Sequence, residues 1–270
     1  MTITTHANFI PEIWSKEVIS AVEQNLVLAN LVWRFDADVK NAGDTIHVPN
    51  VTNLTAQVKV AGADVNPQAN TEGVTNITID QHREVSFLVE DITKAQSSYD
   101  LMSIYTAKAG YAIALAVDDT LAALATGFAT NVGTYNTAIT TDVILNGIEQ
   151  LDLNDVPLDG RAFCFRPDVK RDLLDIDRYV STDFVSKKGV ENGKIGELYG
   201  VDTYMSTNIL IAGTSTSNML FHKEALALAM QKAPRTQSQY LLEKLGNLVV
   251  VDVLYGTAEM RDLFGVEVRT

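Results

Sequence analysis

The longest apolar stretch of the chain lies between Ser98 and Phe128, and the other segments are arranged around it. Alanine, leucine and methionine recur there without a proline, and Ser97 or Ser98 can cap the first free backbone N–H groups. The spacing predicts one helix that is apolar around most of its circumference and buried on several sides. At ~1.5 Å per residue this helix is about 45 Å long. Such a length suggests a helix that two domains share, or one that lies under a sheet.

Residues 1–43 precede this region and are interpreted as an N-terminal arm. Pro11 is placed to sit in the first turn of a helix over Glu12–Leu28. The apolar residues of this segment follow helical spacing: Ile13, Trp14, Val18, Ile19, Val22 and Leu26. An amphipathic helix of this kind packs either on its own domain or on a neighbouring subunit, and the sequence favours neither.

Residues 44–91 change to a period of two, which is typical of strands. Apolar and polar residues alternate in four short runs: Ile46–Val48, Leu54–Val60, Ile77–Ile79 and Val85–Val89. A polar stretch rich in turn-forming residues, Ala61–Gly73, lies between the inner runs. We therefore predict a long two-stranded ribbon with a flexible tip. A lone hairpin is only marginally stable in water, so the ribbon folds back on the chain's own sheet or lies on another subunit.

The rest of the chain mixes helices with short strands. Helices are predicted over Thr140–Leu153, Pro167–Ile176 and Lys223–Lys232. Strands are predicted over Arg161–Phe165, Leu198–Met205, Met219–Phe221, Leu245–Tyr255 and the last residues, and residues 177–194 resemble a polar loop. This mixture predicts an α+β fold with a central sheet.

Charge and cysteine content exclude several classes of protein. The chain has 34 acidic and 21 basic residues and a net charge of −13, which argues against nucleic-acid binding through a broad basic face. The single cysteine, Cys164, excludes an internal disulfide framework and is expected to be a buried, inert thiol. The N-terminus lacks the pattern of a signal peptide. Lys108, Asp118 and Asp119 interrupt the long apolar stretch, so we expect no membrane span.

Catalytic motifs are absent from the sequence. There is no G-x-S-x-G, and the nearest phosphate-loop candidate, Gly189–Gly196, has the wrong glycine spacing and Ile195 in place of Ser or Thr. The four histidines are scattered and are expected at surfaces or interfaces: His6, His47, His82 and His222. Asp118 and Asp119 are adjacent on a helix and point about 100° apart, so we expect them to contact arginines or water. We predict no catalytic, cofactor-binding or metal site, which weakly favours a structural role.

Four segments, in this order along the chain, are each similar to part of one known protein family. Asn76–Leu124 is similar to its passage from a strand into a long helix, with D-I and Y-D before the helix. Gly193–Asn208 is similar to a glycine-punctuated hairpin, Leu220–Lys232 to an F-H-K strand and helix, and Leu248–Val268 to a closing D-x-x-Y-G strand. Together they resemble the major capsid proteins of tailed bacteriophages with the Hong Kong 97-type fold, in particular those of short-tailed phages.

This resemblance implies an α+β Hong Kong 97-type capsid fold in five parts. They are an N-terminal arm (1–43), an E loop with an extended β-hairpin (44–91), the spine helix of a peripheral domain (92–134), an axial domain with a central sheet (135–250) and closing strands that return to the peripheral domain (251–270). It implies a structural protein whose hexamers and pentamers form an icosahedral shell around double-stranded phage DNA. Such a protein is located in the virion after assembly in the bacterial cytoplasm.

The resemblance also implies partners. They are a separate scaffolding protein, a portal and possible decoration proteins; packaged DNA would be held without sequence-specific binding. Because Met1 leads directly into the arm, no maturation cleavage of this chain is expected. Some family members crosslink their shells through a lysine–asparagine bond. Nothing identifies an asparagine partner for the ribbon lysine, Lys59, so we expect no crosslink.

Candidate intersubunit contacts are residues of the arm and the ribbon: Trp14, Val58, Lys59, Val60 and Ile77. Two alternative functions remain open at this point. An encapsulin-like nanocompartment shell shares the fold but encloses enzymes instead of DNA. A soluble α+β enzyme would use residues that are scattered along the sequence and leave no local motif.

Overall fold

The structure is a computed structural model that describes most of the chain from Val27 onward. The described residues are 27–37, 39, 43–51, 54–62, 64–65, 67–69, 72–96, 101–174, 194–212 and 215–270. The predicted arm helix therefore lies almost entirely outside the described residues. Ser97, Ser98 and most of the predicted polar loop at 177–194 also lie outside them.

Two sheets and a separate ribbon contain the strands. The first sheet has four strands, in the order β1 (Trp33–Arg34), β11 (Leu226–Leu241), β12 (Gly246–Glu259) and β4 (Gln81–Glu90). The second sheet has seven strands. Its main order is β5 (Thr130–Gly133), β13 (Gly265–Arg269), β10 (Ser215–His222), β6 (Arg161–Phe165), β8 (Val201–Met205) and β7 (Lys194–Leu198), and β9 (Ile211–Ala212) pairs with β10. The ribbon consists of β2 (Thr45–Val51) and β3 (Glu72–Thr78).

Within the described ranges, four α-helices accompany these strands: α1 (Asp91–Gln96), α2 (Leu101–Ala123), α3 (Thr141–Leu153) and α4 (Pro167–Leu174). A 3-10 turn, Leu124–Gly127, extends α2, so the predicted long helix is confirmed over its described part. The core around α2 takes residues from the helix and from both sheets: Ile113, Val117 and Leu121 of α2, Val251, Val253 and Tyr255 of β12, and Met219 and Phe221 of β10. The helix is therefore shared by the two sheets, as its length suggests.

The long helix is apolar enough to be compared with a membrane span. By length and composition alone, Met102–Gly127 could cross a membrane, although Lys108, Asp118 and Asp119 interrupt the apolar stretch. Half of the apolar window is buried inside the protein, where it packs against both sheets. This packing is that of a core helix.

Asp118 of α2 was expected to contact arginines or water. It is instead buried, and its partners are backbone groups. Its carboxylate accepts hydrogen bonds from the backbone N–H groups of Val27 (3.0 Å), Leu28 (3.4 Å) and Ala29 (3.3 Å). These groups belong to a short 3-10 turn, Leu28–Asn30, and to the residue that precedes it. The carboxylate therefore attaches residues 27–29 to α2 in the middle of the fold.

The prediction of a helix over Lys223–Lys232 is wrong. Leu226–Leu241 is strand β11, and its first five residues are buried on both faces between the core and the base of the ribbon. Alanine, leucine and methionine favour helix only weakly, and burial in a sheet overrides this preference. Pro234 lies where the pairing with β12 shifts register between Lys232 and Arg235, and a proline is tolerated at such a bulge.

The chain also divides between the two sheets differently from the predicted boundary at residue 250. Strand β10, which ends at His222, belongs to the seven-stranded sheet. After it, the described chain adds one more strand to that sheet, β13 (Gly265–Arg269). Residues 226–259 form β11 and β12 of the four-stranded sheet. The boundary differs because the segment predicted as a helix is strand β11. This strand pairs with β12 along its length, so both strands belong to the four-stranded sheet.

Candidate assembly surfaces

The base of the ribbon is fixed to the four-stranded sheet. Ile77 of β3 is buried with Ala227 and Ala229 of β11, and the N–H of Ile79 donates to the carbonyl oxygen of Asp44 at 2.7 Å. The backbone of Gly256 in β12 approaches the end of β3 so closely that no side chain would fit between them. The ribbon therefore leaves the subunit from a rigid base.

Burial falls along the ribbon from its base to its tip. The exposed fraction is 0% for Ile77 at the base, 58% for Val74 further along β3 and 95% for Val58 beyond β2. The paired part has seven residues in each strand, which corresponds to about 20 Å. The tip is thus separated from the core of its own subunit, and the apolar side chains there lack cover from the described residues.

The tip does not form the predicted strand. Residues 54–60 alternate apolar and polar side chains, but they are outside both strands and all are exposed. Thr55 and Gln68 hold the two sides of the tip together: the Thr55 N–H donates to the Gln68 amide oxygen at 3.1 Å, and the Gln68 amide donates to the Thr55 carbonyl. A strand needs a partner strand, and no strand among the described residues pairs with this segment.

The predicted contact residues have different surroundings. Val58, Lys59 and Val60 lie together on the exposed tip, which leaves them available to a second chain. The prediction that Ile77 faces outward is wrong, because its side chain fills the core at the base of the ribbon. Trp14 lies outside the described residues. Period-two alternation shows that a strand has an apolar face, but not whether the same chain covers that face.

A second exposed tip was not found from the sequence. Leu242 and Leu245 lie in the turn between β11 and β12 and are both strongly exposed. Tyr240, at the end of β11, donates from its hydroxyl to the Asp91 carboxylate at 2.8 Å, which fixes the hairpin end to α1. The two leucines close to Gly246 are a possible signal, but the incorrect helix assignment hid the hairpin to which they belong.

Charged groups stabilise the long hairpin behind this tip. Asp252 of β12 accepts from Arg235 Nε of β11 at 2.7 Å and lies 3.3 Å from His82 Nε2 of β4. The hydrogen bond from Arg235 is the main cause that holds the pKa of Asp252 below its ordinary value. Three neighbouring strands are therefore joined by one largely buried carboxylate, and the hairpin is a firm support for its tip.

The buried titratable groups of the described chain have structural partners. Burial raises the pKa of Glu267, but hydrogen bonds from Ser217 (2.7 Å), Tyr135 (2.7 Å) and Arg269 (2.9 Å) outweigh it and leave the pKa low. His222 was predicted at a surface or an interface, but it is buried inside the subunit. Its Nε2 lies 3.0 Å from the Asp159 carbonyl oxygen, and burial lowers its pKa. Burial also strongly raises the pKa of Cys164, as expected for an inert thiol. Each of these groups serves packing.

Metal-binding chemistry has no support in this part of the chain. The described residues contain no group of three or more histidine, cysteine, aspartate or glutamate side chains that could hold a metal ion. Among the described residues, both apolar tips lack an internal packing role. They are suited to contacts with other protein chains.

Comparison with solved structures identifies the fold. The chain is similar to a structure from Mycobacterium phage Che8, with 22% identity, a TM-score of 0.74 and 90% of each chain covered. It is also similar to the capsid structure of the cyanophage P-SCSP1u, with 18% identity, a TM-score of 0.71 and coverage of 88% of this chain and 86% of that one. The predicted α+β Hong Kong 97-type capsid fold is confirmed.

The same fold occurs in a particle that is not described as a phage. A virus-like particle from Pyrococcus furiosus matches with 10% identity and a TM-score of 0.65 over 96% of this chain and 98% of that one. No protein-family model matches the sequence, and no curated protein matches it either. At these identities the likeness establishes the fold.

Proposed function

We propose that this chain is the structural major capsid protein of a tailed bacteriophage and that it has no enzymatic role. Copies assemble as hexamers and pentamers into an icosahedral shell, in the host bacterial cytoplasm, and the shell encloses double-stranded DNA in the virion. The observation that carries this proposal is the ribbon tip. It combines the alternation of a strand with almost full exposure, at the end of a ribbon whose base is rigid.

The physical argument concerns what the tip lacks. An extended apolar segment with unpaired backbone groups associates readily with another chain, so an isolated subunit presents an adhesive surface. A neighbouring copy can cover it, and a closed shell gives every copy the same cover. We assign residues 1–43 to the arm, 44–91 to the E loop and α2 to the spine. The four-stranded sheet would then belong to the peripheral domain and the seven-stranded sheet to the axial domain.

The remaining partners follow from this role. A separate scaffolding protein would guide assembly, a portal would occupy one vertex, and decoration proteins could bind outside. The net charge of −13 favours repulsion from packaged DNA over sequence-specific binding. The DNA would then be confined by the shell and not bound to defined sites.

Electron microscopy of the purified full chain, expressed with and without the neighbouring genes, tests the proposal. We expect closed angular shells, or rings of five and six, together with DNA when the packaging genes are present. A subunit that stays monomeric or dimeric even with a scaffolding protein would contradict the shell function and would favour an enzyme.

A matched pair of variants tests the ribbon tip itself. Val58→Asp places a charge on its apolar side, and Gln57→Asp places the same charge on the adjacent polar position. We expect Gln57→Asp to assemble normally and Val58→Asp to remain as folded, unassembled subunits, because only Val58 would be buried against a neighbour. Equal assembly of the two variants would show that the tip is not an assembly contact.

A nanocompartment shell is the second candidate. It is favoured by the likeness to the virus-like particle from Pyrococcus furiosus, which covers nearly the whole of both chains. The contents of purified particles distinguish the two functions. Nuclease-protected double-stranded DNA supports a phage capsid, and a defined protein cargo without DNA supports a nanocompartment.

A further inference from the structure

One side of α2 carries an exposed apolar stripe. Ile104, Lys108, Tyr111 and Leu115 are separated by four, three and four residues and therefore share one face of the helix. Ile104, Tyr111 and Leu115 expose 47%, 48% and 37% of their surfaces, whereas the opposite faces of α2 are buried in the core. An apolar stripe of this length on a core helix indicates a surface that another segment covers.

A groove continues this stripe at its C-terminal end. It lies between α2 and the turn that follows β8, and its lining includes Tyr111, Leu115, Met205 and Asn208. The Asn208 side chain donates to the backbone carbonyl of Leu115 at 3.3 Å, which holds the turn beside the helix. The turn forms one wall of the groove, and the stripe forms its floor.

The described chain begins in this groove. Val27 is part of the groove lining, and the three hydrogen bonds to the Asp118 carboxylate fix residues 27–29 beside α2. Val27 therefore lies at the point where the groove meets the stripe. The groove extends from Asp118 toward Tyr111, which is the direction of the N-terminal end of α2.

We infer that the stripe on α2 is the docking surface for residues 12–26 of the same chain. The sequence gives this segment an apolar face with helical spacing, as described above. A helix of 15 residues is about 22 Å long, and the distance along α2 from Ile104 to Asp118 is about 21 Å. The lengths match, so Trp14 lies near Ile104 when the segment runs along the stripe.

Charge supports the same occupant. The cation within the stripe is Lys108, and residues 12–26 contain three glutamates, Glu12, Glu17 and Glu23, against the single cation Lys16. An acidic amphipathic segment therefore complements an apolar stripe with a lysine in its middle. The assignment depends on the fold and on the start of the described chain, and it is independent of the proposed shell function.

Tryptophan fluorescence of the unassembled full chain tests the inference. The chain contains two tryptophans, Trp14 and Trp33, so Trp33→Phe leaves Trp14 as the reporter. We expect blue-shifted Trp14 emission with weak acrylamide quenching in this parent. Ile104→Glu and Tyr111→Glu should shift the emission to the red and increase quenching severalfold, because each places a charge under the apolar face of an acidic segment.

Two controls separate docking from a general loss of structure. Tyr111→Leu keeps the stripe apolar and should preserve the parent emission. Leu158→Glu alters an exposed leucine in the loop before β6 and should also leave Trp14 unchanged. Circular dichroism of each variant confirms that the fold is retained, since all three positions are exposed.

Three outcomes would overturn the inference. The first is solvent-exposed Trp14 in the parent, and the second is unchanged emission in both glutamate variants. The third comes from a mixing experiment. Ile104→Glu subunits are mixed with subunits that lack both tryptophans and keep the stripe. Recovery of blue emission on mixing would mean that residues 12–26 dock on a second copy and not on their own chain.

Discussion

The attachment of residues 27–29 to α2 can be tested with two adjacent aspartates. Asp118 is buried and accepts three backbone hydrogen bonds, whereas Asp119 is exposed on the same helix. Asp118→Ala and Asp119→Ala each remove one carboxylate and one negative charge. The pair therefore differs in burial and hydrogen bonding, and a difference in stability between the two variants reports on these alone.

The expected magnitude follows from the donors that lose their acceptor. The N–H groups of Leu28 and Ala29 are buried, and each unsatisfied buried donor costs about 1–3 kcal/mol. Val27 is only partly buried, so its N–H can bond to water. Burial raises the pKa of Asp118, and relief of this burial offsets part of the loss. We expect a net loss of about 3 kcal/mol for Asp118→Ala and less than about 0.5 kcal/mol for Asp119→Ala.

Urea denaturation of the unassembled subunit measures the two free energies of unfolding, and amide hydrogen exchange localises the effect. Asp118→Ala should lower protection at residues 27–29 most strongly, while Asp119→Ala should leave these amides as in the parent. Equal unfolding free energies for the two variants, or unchanged protection at residues 27–29, would refute the reasoning. The buried carboxylate would then be a passive feature of the core.

Two further predictions concern the four-stranded sheet. Burial, followed by the neighbouring Asp262, raises the pKa of Glu259 from 4.5 to about 7. The contribution of Glu259 to stability is therefore fully present below about pH 4.5 and is lost as the pH rises through 7. Glu259→Gln should flatten this part of the curve of unfolding free energy against pH. An unchanged curve would contradict the raised pKa of Glu259. Gly256→Ala places a Cβ 2.2 Å from the Thr78 carbonyl oxygen and should lower the unfolding free energy by about 1–3 kcal/mol in a thermal melt. Gly196→Ala is the control, because its Cβ meets nothing within 4 Å. Equal melting temperatures for the two variants would be inconsistent with close packing of Gly256 against Thr78.

Local patterns predicted those elements whose environment agrees with their intrinsic preference. The helix predicted over Thr140–Leu153 is α3, and Thr140 caps it by accepting a hydrogen bond from the Val143 N–H at 3.4 Å. The long helix was evident because it is apolar all round and contains no proline. Strand β6 was evident because its last four residues, Ala162–Phe165, are all apolar, and all five of its residues are buried. In each case the local sequence and the tertiary position require the same structure.

Prediction failed where the tertiary position decides the outcome. The start of β11 has the composition of a helix, and its place between two buried faces makes it a strand. Ile77 and Val58 belong to similar alternating runs, and only the docking of the ribbon base on β11 separates a core residue from an exposed one. Asp118 looked like a surface acid because the groups that it binds are 89 or more residues away in the sequence.

The exposed tip also sets the strength of the contacts that a shell of this kind would use. Burying one valine or leucine side chain contributes about 1.5–3 kcal/mol, so Leu54, Val58 and Val60 together offer about 5–9 kcal/mol to a neighbour. Loss of translational and rotational freedom on association costs about 4–15 kcal/mol, which leaves little net affinity for a single tip contact. In the proposed shell, two subunits that meet through one tip would therefore separate again, and a misplaced subunit could be corrected. A subunit inside the closed shell would be held by several such contacts at once, so the same weak tip would become part of a stable assembly.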